Sequence, residues 1–408
     1  MHLDAGIVGC GTAGAAAALF LSRAGHRVTV YEAVEKPMAV GAGIMIQPTG
    51  MYVLARLGLL DGVLARGARV NRLHCVTRGR KPVLDLDYAD LHPDAFGLGL
   101  HRGVLFEALF NAVAESDAIN LRCGLPIESL RRDGAHTYVV GRDGREHGPH
   151  DLIVAADGAR SQLRDDATLT RRATQYPWGA LWFIGDDPAG VFDGVLFQVV
   201  EGTHHMFGML PSGLGPVGDT KRVSLFWSIR ADQVNAWRSA GLEPWKYLLR
   251  SLEPRCASVT DQLGSVDEVL FARYWDVVLN QWHAPGLVFL GDAAHATSPQ
   301  LGQGANLALI DAIALADSLA RGPLLERALA EYSLGRRHHL NYYQWATRFL
   351  TPFFQSDHEA LGTLRDVFMG FACRLPYVRT RMLRTMCGLE RGVLLPDPLP
   401  LPSTPAPG

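Results

Sequence analysis

Between Asp4 and Glu32 the chain reads as an apolar run, a glycine turn, a charge-free helix and a second apolar run. The turn is Gly9-Cys-Gly11-Thr-Ala13-Gly14. Its first glycine permits a tight bend, the second lets a pyrophosphate approach the backbone, and the third lets helix pack on strand. The helix, Ala13 to Arg23, stops at Gly25, and Arg27-Val-Thr-Val-Tyr-Glu32 alternates as a second strand. A βαβ unit of this kind, about 30 residues long, opens a parallel sheet with a right-handed crossover. The helix start offers free N–H groups to phosphate. Glu32 ends the second strand, where a carboxylate accepts both hydroxyls of a ribose. Dinucleotide binding follows, with FAD and NAD both open at this motif.

Composition narrows the setting. Ala5 to Ser22 carries no charge, yet Asp4 precedes it and four glycines interrupt it, so it reads as part of a soluble fold rather than a signal or membrane span. Lys and Arg number 39 against 41 Asp and Glu, a net charge of −2, which argues against a nucleic-acid or anionic-membrane partner. Six cysteines form no CxxC pair, so neither a disulfide framework nor a metal site is expected and a reducing cytoplasm fits. At roughly 150 residues per domain, 408 residues make two to three units. Glycine is in excess, 43 residues of 408 against about 7 % on average, and it clusters in turns.

Two further turns share the pattern of the first. Asp151-Leu-Ile-Val-Ala-Ala-Asp157-Gly158 is an apolar strand ending in an acid, followed by Arg160, Ser161 and Arg164. It is either a ligand-facing carboxylate at the sheet's carboxyl edge or an Asp-Gly turn with a surface arginine. Gly286 to Leu290 leads into Gly291-Asp292-Ala-Ala-His295, then Pro299, Gly302, Gly304, Ala305 and Asn306. A helix starting there turns its amides toward negative charge on a bound ring.

Together, and in this order, these segments resemble the class A FAD-dependent aromatic monooxygenases, the para-hydroxybenzoate hydroxylase-like flavoproteins, over about residues 3–330. The resemblance implies that Gly9, Gly11, Ala13 and Gly14 hold the FAD pyrophosphate and Glu32 the adenosine ribose. It implies Arg102 near the pyrophosphate, the Ile127 backbone at the adenine, and Asp157 in the region shared by FAD and nicotinamide. Asp292 takes the ribityl chain, Ala305 and Asn306, beside Gly304, donate main-chain N–H groups to the flavin pyrimidine edge, and Pro299 lies at the reactive face. The implied chemistry is hydroxylation of a phenolic or heteroaromatic small molecule with O2 and NADH or NADPH, through a flavin C4a-hydroperoxide. A basic residue common around Gly41–Ile44 is absent, as are a thioredoxin-like extension and the WxWxIP signature of flavin halogenases. Alternatives on the same scaffold are an FAD-dependent reductase or oxidase of an isoprenoid-type substrate and a protein that holds FAD without turnover.

No catalytic residue is assigned from the sequence. Gln47, in the Gly41–Gln47 loop, is either a substrate contact or a polar loop residue. His205, at spacing two from Phe207 and Met209, is a pocket base or a structural histidine; Tyr274 stands likewise, and Pro299 borders the same pocket. Trp178, Trp182, Phe197 and Trp227 line an aromatic pocket or form ordinary core. His295 reads as structural. No metal site is expected.

The fold class is α/β: a Rossmann-like FAD-binding domain with a parallel sheet, a mostly antiparallel β-sheet substrate domain, and C-terminal helices. The expected layout places the first part of the FAD domain at 1–165, with a possible substrate-domain insertion near 70–98, and the substrate domain at 166–280, where aromatic-rich strands alternate. The second FAD part follows at 281–330, a helical region at 331–395 and a disordered proline-rich tail at 396–408. Arg365, Arg374, Arg379, Arg381, Arg384 and Arg391 make the last helices basic, either as a peripheral membrane face or as a packed helix with solvated arginines. A monomer or homodimer is expected.

Overall fold

The computed structural model describes residues 1–38, 41–164 and 169–392. A six-stranded sheet runs in the order His283–Ala284, Leu287–Phe289, Leu152–Ala155, Asp4–Val8, Arg27–Tyr31 and Ile119–Arg122. Its pairings are parallel except at the two-residue edge strand. The central strands are apolar throughout because both faces are covered: Ile7, Val30, Ile153, Val154 and Val288 are all fully buried. The Thr12–Arg23, Arg102–Ala114 and Gly304–Ala320 helices pack over one face. On the other lies a three-stranded antiparallel meander, Ile127–Asp133, His136–Gly141 and Glu146–His150.

The second sheet is nine-stranded and curls strongly. Its path is Leu270–Leu279, Thr170–Asp186, Arg222–Arg230, His205–Gly213, Gly194–Glu201, Ala68–Thr77, Gly97–His101 and Gly43–Ile46, with Pro82–Asp87 paired on Ala68–Thr77. All pairs are antiparallel except Gly194–Glu201 with Ala68–Thr77. Strands from Gly43 to His101 thus join this sheet, a wider segment than the 70–98 stretch read from the sequence. Alternation divides its side chains. Leu181, Phe207, Met209, Leu225, Trp227 and Ile229 share an outer core with Trp245, Leu249, Leu252 and Val259. Those last four sit on helices Leu242–Leu252 and Ala257–Thr260, preceded by Val234–Ala240. The reading of this region as a mostly antiparallel sheet did not place these helices, whose apolar faces cover the sheet.

Helices Leu325–Phe354, Glu359–Ala372 and Pro376–Met386 complete the described chain. Helical periodicity suggested continuation to residue 395, but the last helix closes at Met386. Gly388 takes φ +83°, and the N–H groups of Gly388 and Leu389 return to the Thr385 and Arg384 carbonyls at 3.2 and 2.9 Å, a left-handed glycine stop. Cys387, Leu389 and Glu390 are then fully buried as a strap across the helices. The expected tail at 396–408 lies outside the described residues. The arginines of this region are mostly neither solvated nor free to form a basic face. Arg365 is buried and donates to the Gly202 and Phe353 carbonyls, Arg379 pairs with Asp90, and Arg381 and Arg384 pair with Glu390. Among the described residues no helix is long and apolar enough to cross a membrane.

Candidate functional site

Strands Asp4–Val8, Leu152–Ala155 and Leu287–Phe289 are immediate neighbours, so the glycine turns that follow them leave one carboxyl edge side by side. At the first turn Gly9 has φ +96°, and a Cβ there would stand 2.5 Å from the Ala156 carbonyl oxygen. At Gly14 a Cβ would stand 2.0 Å from the Gly9 oxygen, whereas at Gly11 it would meet nothing within 4 Å. The protein therefore uses two glycines to close its own packing and leaves the space at Gly11 open. Ala15 N–H reaches Gly11 C=O at 2.9 Å, so the N–H groups of Thr12, Ala13 and Gly14 are the ones the helix leaves without an internal acceptor. Glu32 is held from two sides, its carboxylate accepting the Cys10 and Val34 N–H groups at 2.9 Å each. Each oxygen keeps further lone pairs.

The second and third turns are stitched to the first. Arg160 is exposed, whereas Arg164 is buried and donates to the Ala293 and Ala159 carbonyls at 2.9 and 2.6 Å. Gly291, at φ +58°, would place a Cβ 2.9 Å from that of Ala13. Asp157 follows its strand with Oδ1 buried and, among the described residues, without a hydrogen-bond partner, and burial pushes its carboxyl above the usual range. Asp292 is exposed, its Oδ1 3.9 Å from where a Gly304 Cβ would stand. Leu307 N–H reaches Gln303 C=O at 2.8 Å, leaving the N–H groups of Gly304, Ala305 and Asn306 open at the helix start. Pro299 is exposed at the head of the Pro299–Leu301 turn.

Behind this edge runs a buried polar chain that sequence reasoning did not anticipate. His295 Nε2 lies 2.5 Å from Asp311 Oδ2, which also accepts the Gly291 N–H at 2.9 Å. Asp311 Oδ1 accepts Arg336 Nε at 2.8 Å; another guanidinium nitrogen lies 2.6 Å from His339 Nδ1, and His339 Nε2 lies 2.8 Å from the Gly388 carbonyl. His295 and Arg336 hold the Asp311 carboxyl down at about 2 against its desolvation. Burial, then the Arg336 charge, hold His339 down at about 3. His295 is therefore a structural residue fixing the third turn.

The substrate-side candidates separate. Gln47 is buried, with its N–H on Asn306 Oδ1 at 2.8 Å and its Oε1 accepting the Tyr88 hydroxyl at 2.7 Å. Tyr274 accepts from Trp182 Nε1 at 3.4 Å, and the Trp182 ring lies 5.2 Å from that of Phe226. Burial pushes the Tyr274 phenol up to about 12. The Trp178 ring lies 5.7 Å from that of His204, tilted at 59°. His205 points to the opposite, outer face, its ring 5.0 Å from Trp227 and 3.4 Å from Glu201; Phe197 and Trp227 belong to the outer core. Arg102 is exposed at the start of its helix, beside Gly41. Ile127 is half-buried two residues beyond Leu125, whose N–H binds the Glu32 carbonyl at 2.9 Å. The glycines, Glu32, Asp157, Asp292 and the Gly304–Asn306 amides are thus gathered along one edge, with Gln47 clamped to it, while His205, Phe197 and Trp227 are not. Tyr88 escaped sequence reasoning altogether. Among the described residues no three His, Cys, Asp or Glu side chains gather to hold a metal.

Known proteins resemble this chain along most of its length. A family model described as the FAD binding domain matches residues 2–340. The chain is similar to 6-methylpretetramide 4-monooxygenase of Streptomyces rimosus, 28% identical over 82% of this chain and 80% of that protein. It is similar to aurachin C monooxygenase/isomerase of Stigmatella aurantiaca, 27% identical over 93% of each. Its fold matches a crystal structure of a Klebsiella pneumoniae HpxO variant complexed with FAD, with TM-score 0.78 and 20% identity over 94% of this chain and 99% of that one. The open space at Gly11, the two sets of unpaired helix-start amides and the orphaned Asp157 oxygen suit a long dinucleotide laid along the edge, so the residues present fit FAD.

Proposed function

The chain belongs to the FAD binding domain family, and from that premise we propose that it is a single-component flavoprotein monooxygenase acting on a phenolic or heteroaromatic small molecule with O2 and NADH or NADPH. The observation that carries the reading is the convergence of three glycine turns on adjacent strands, with the open amides of Gly304, Ala305 and Asn306 beside them. A plain nicotinamide dehydrogenase has no use for the third turn.

Gly9, Gly11, Ala13 and Gly14 hold the pyrophosphate, with Arg102 flanking it. Glu32 takes the adenosine ribose on lone pairs that Cys10 and Val34 leave over, and the Ile127 backbone meets the adenine. Asp292 takes the ribityl chain, and the Gly304, Ala305 and Asn306 amides meet the pyrimidine edge, where they stabilise negative charge. Asp157 serves the region shared with the nicotinamide, and Pro299 borders the reacting face. Bound and reduced, FAD supplies the activation of O2. The rings of Trp182, Phe226 and Tyr274 supply an apolar wall that excludes water. The six cysteines stand as free thiols, which supports a cytoplasmic setting; the protein acts as a monomer or homodimer.

The test follows NADH and NADPH oxidation by the FAD-loaded protein with phenols, aminobenzoates and hydroxyquinolines, adding 6-methylpretetramide and aurachin C because of the relatives named for them. Stimulation by one compound, with matched oxygen uptake and little hydrogen peroxide, is the expected result. A yellow protein that no compound stimulates would turn the reading toward a reductase or an FAD carrier, and a colourless one would end it.

A further inference from the structure

Gln47 ends the Gly43–Ile46 strand and opens the Pro48–Arg56 helix, so its side chain departs where two elements meet. Asn306 clamps that junction. It accepts the Gln47 N–H at 2.8 Å and donates through Nδ2 to the Met45 and Gly302 carbonyls at 3.1 Å each. The clamp ties Gln47 to the first turn of the Gly304–Ala320 helix, the turn whose amides are open.

The orientation of the Gln47 amide is set by Tyr88. The Tyr88 ring is fully buried, and burial holds its phenol well above the ordinary range, so it stays neutral and keeps a proton to donate. Gln47 Oε1 stands 2.7 Å from its hydroxyl; the other acceptor in reach is the Met45 sulfur at 3.5 Å, a weak one. The proton goes to Oε1, and the amide nitrogen is turned away from Tyr88. Gln47 is only 2% exposed, and its Nε2 has no acceptor among the described residues. An uncharged pair of N–H donors is thus held rigidly beside the open helix-start amides, without an acceptor among the described residues.

We propose that Gln47 is a donor-only anchor for ring ligands that present an acceptor oxygen at this point, a phenolate or ring carbonyl rather than an amine, with Tyr88 as its positioning residue. The proposal rests on the monooxygenase reading above. The acceptor belongs either to the aromatic substrate or to the flavin ring itself, and the experiment separates the two.

The FAD-loaded wild type is compared with Gln47→Leu, Gln47→Glu and Tyr88→Phe, each titrated with 4-hydroxyquinoline and 4-aminoquinoline through the visible flavin band. If the substrate is the partner, Gln47→Leu and Tyr88→Phe each weaken 4-hydroxyquinoline about ten-fold, the scale of one lost hydrogen bond, with FAD affinity unchanged. Gln47→Glu accepts the Tyr88 proton on one oxygen and presents an acceptor with the other, so it reverses the preference toward 4-aminoquinoline. Were Tyr88 merely structural, Tyr88→Phe would weaken both probes equally. If the flavin is the partner, Gln47→Leu instead weakens FAD itself about ten-fold and shifts its visible band before any probe is added. Unchanged probe preference with unchanged FAD affinity in all three variants overturns the proposal, as does a wild type that holds FAD, binds neither probe and loses no FAD affinity on Gln47→Leu. A wild type that takes up no FAD ends the parent reading and this one together, and is seen before any variant is made.

Discussion

At Gly14 a methyl group would stand 2.0 Å from the Gly9 carbonyl oxygen, whereas at Gly11 it would meet nothing within 4 Å. Two substitutions in one motif thus act on different quantities. Alanine is a better helix former than glycine by about 1 kcal/mol, so any loss in Gly14→Ala is steric; overpacking of this kind costs about 1–3 kcal/mol. Urea unfolding of the FAD-free protein should show that loss. Gly11→Val should unfold like the wild type without FAD and bind FAD at least ten-fold more weakly, read by equilibrium titration. A Gly11→Val protein that bound FAD normally would show that the open space is not the pyrophosphate's. Gly9 and Gly14 were legible in the sequence because a positive φ at the one and a backbone contact at the other leave no other residue as a solution. Tyr88 was not, because its partner lies 41 residues earlier and a single tyrosine in a turn carries no periodic signal. For His205 the spacing correctly grouped it with Phe207 and Met209, but alternation cannot say which face of a sheet looks toward a ligand.

Four segments of the fold meet in the chain His295–Asp311–Arg336–His339–Gly388, since Arg336 and His339 share one helix, which makes its protonation a property of their packing. Asp311 sits at about 2, against an ordinary 3.8; a depressed carboxyl contributes stability that is present above the ordinary value and lost as pH falls toward 2. His339 sits at about 3, against an ordinary 6.5. The unfolded chain takes up that proton first, so stability is complete above about 6.5 and declines from there toward pH 3. Urea midpoints measured across this range should fall in two limbs. His339→Gln keeps a donor for the Gly388 carbonyl and an acceptor for Arg336 but does not titrate, so it should flatten the upper limb and leave the lower one. An unaltered upper limb in that variant would assign the acid sensitivity elsewhere. The strands and long helices were legible as elements, because apolar runs and glycine stops mark their ends. The Val234–Ala240 and Leu242–Leu252 helices were not: they are short, tryptophan-bearing and set among strands, so local composition favours the neighbours' conformation. The polar chain was invisible for a different reason, since its members are scattered over nearly a hundred residues and only tertiary packing joins them.

Viewed whole, the molecule assembles its carboxyl edge from strands at Asp4–Val8, Leu152–Ala155 and Leu287–Phe289, with the second sheet's strands threaded between them in the chain. Parallel neighbours so far apart in sequence close slowly, because loop entropy is lost before the contacts form. On dilution from denaturant into FAD, quenching of flavin fluorescence should appear with the slowest refolding phase, and should speed little with added FAD. Quenching in the earliest phase would mean that the first turn captures the cofactor alone. The order of those strands also bears on how the protein is made. The last of the three turns exists only once synthesis has passed the Leu287–Phe289 strand, and the helix that backs it, Gly304–Ala320, comes later still. Loading with cofactor therefore waits until synthesis has passed the third turn and its helix, and a cell starved of flavin would accumulate protein that has passed that point without acquiring the ligand that stabilises it.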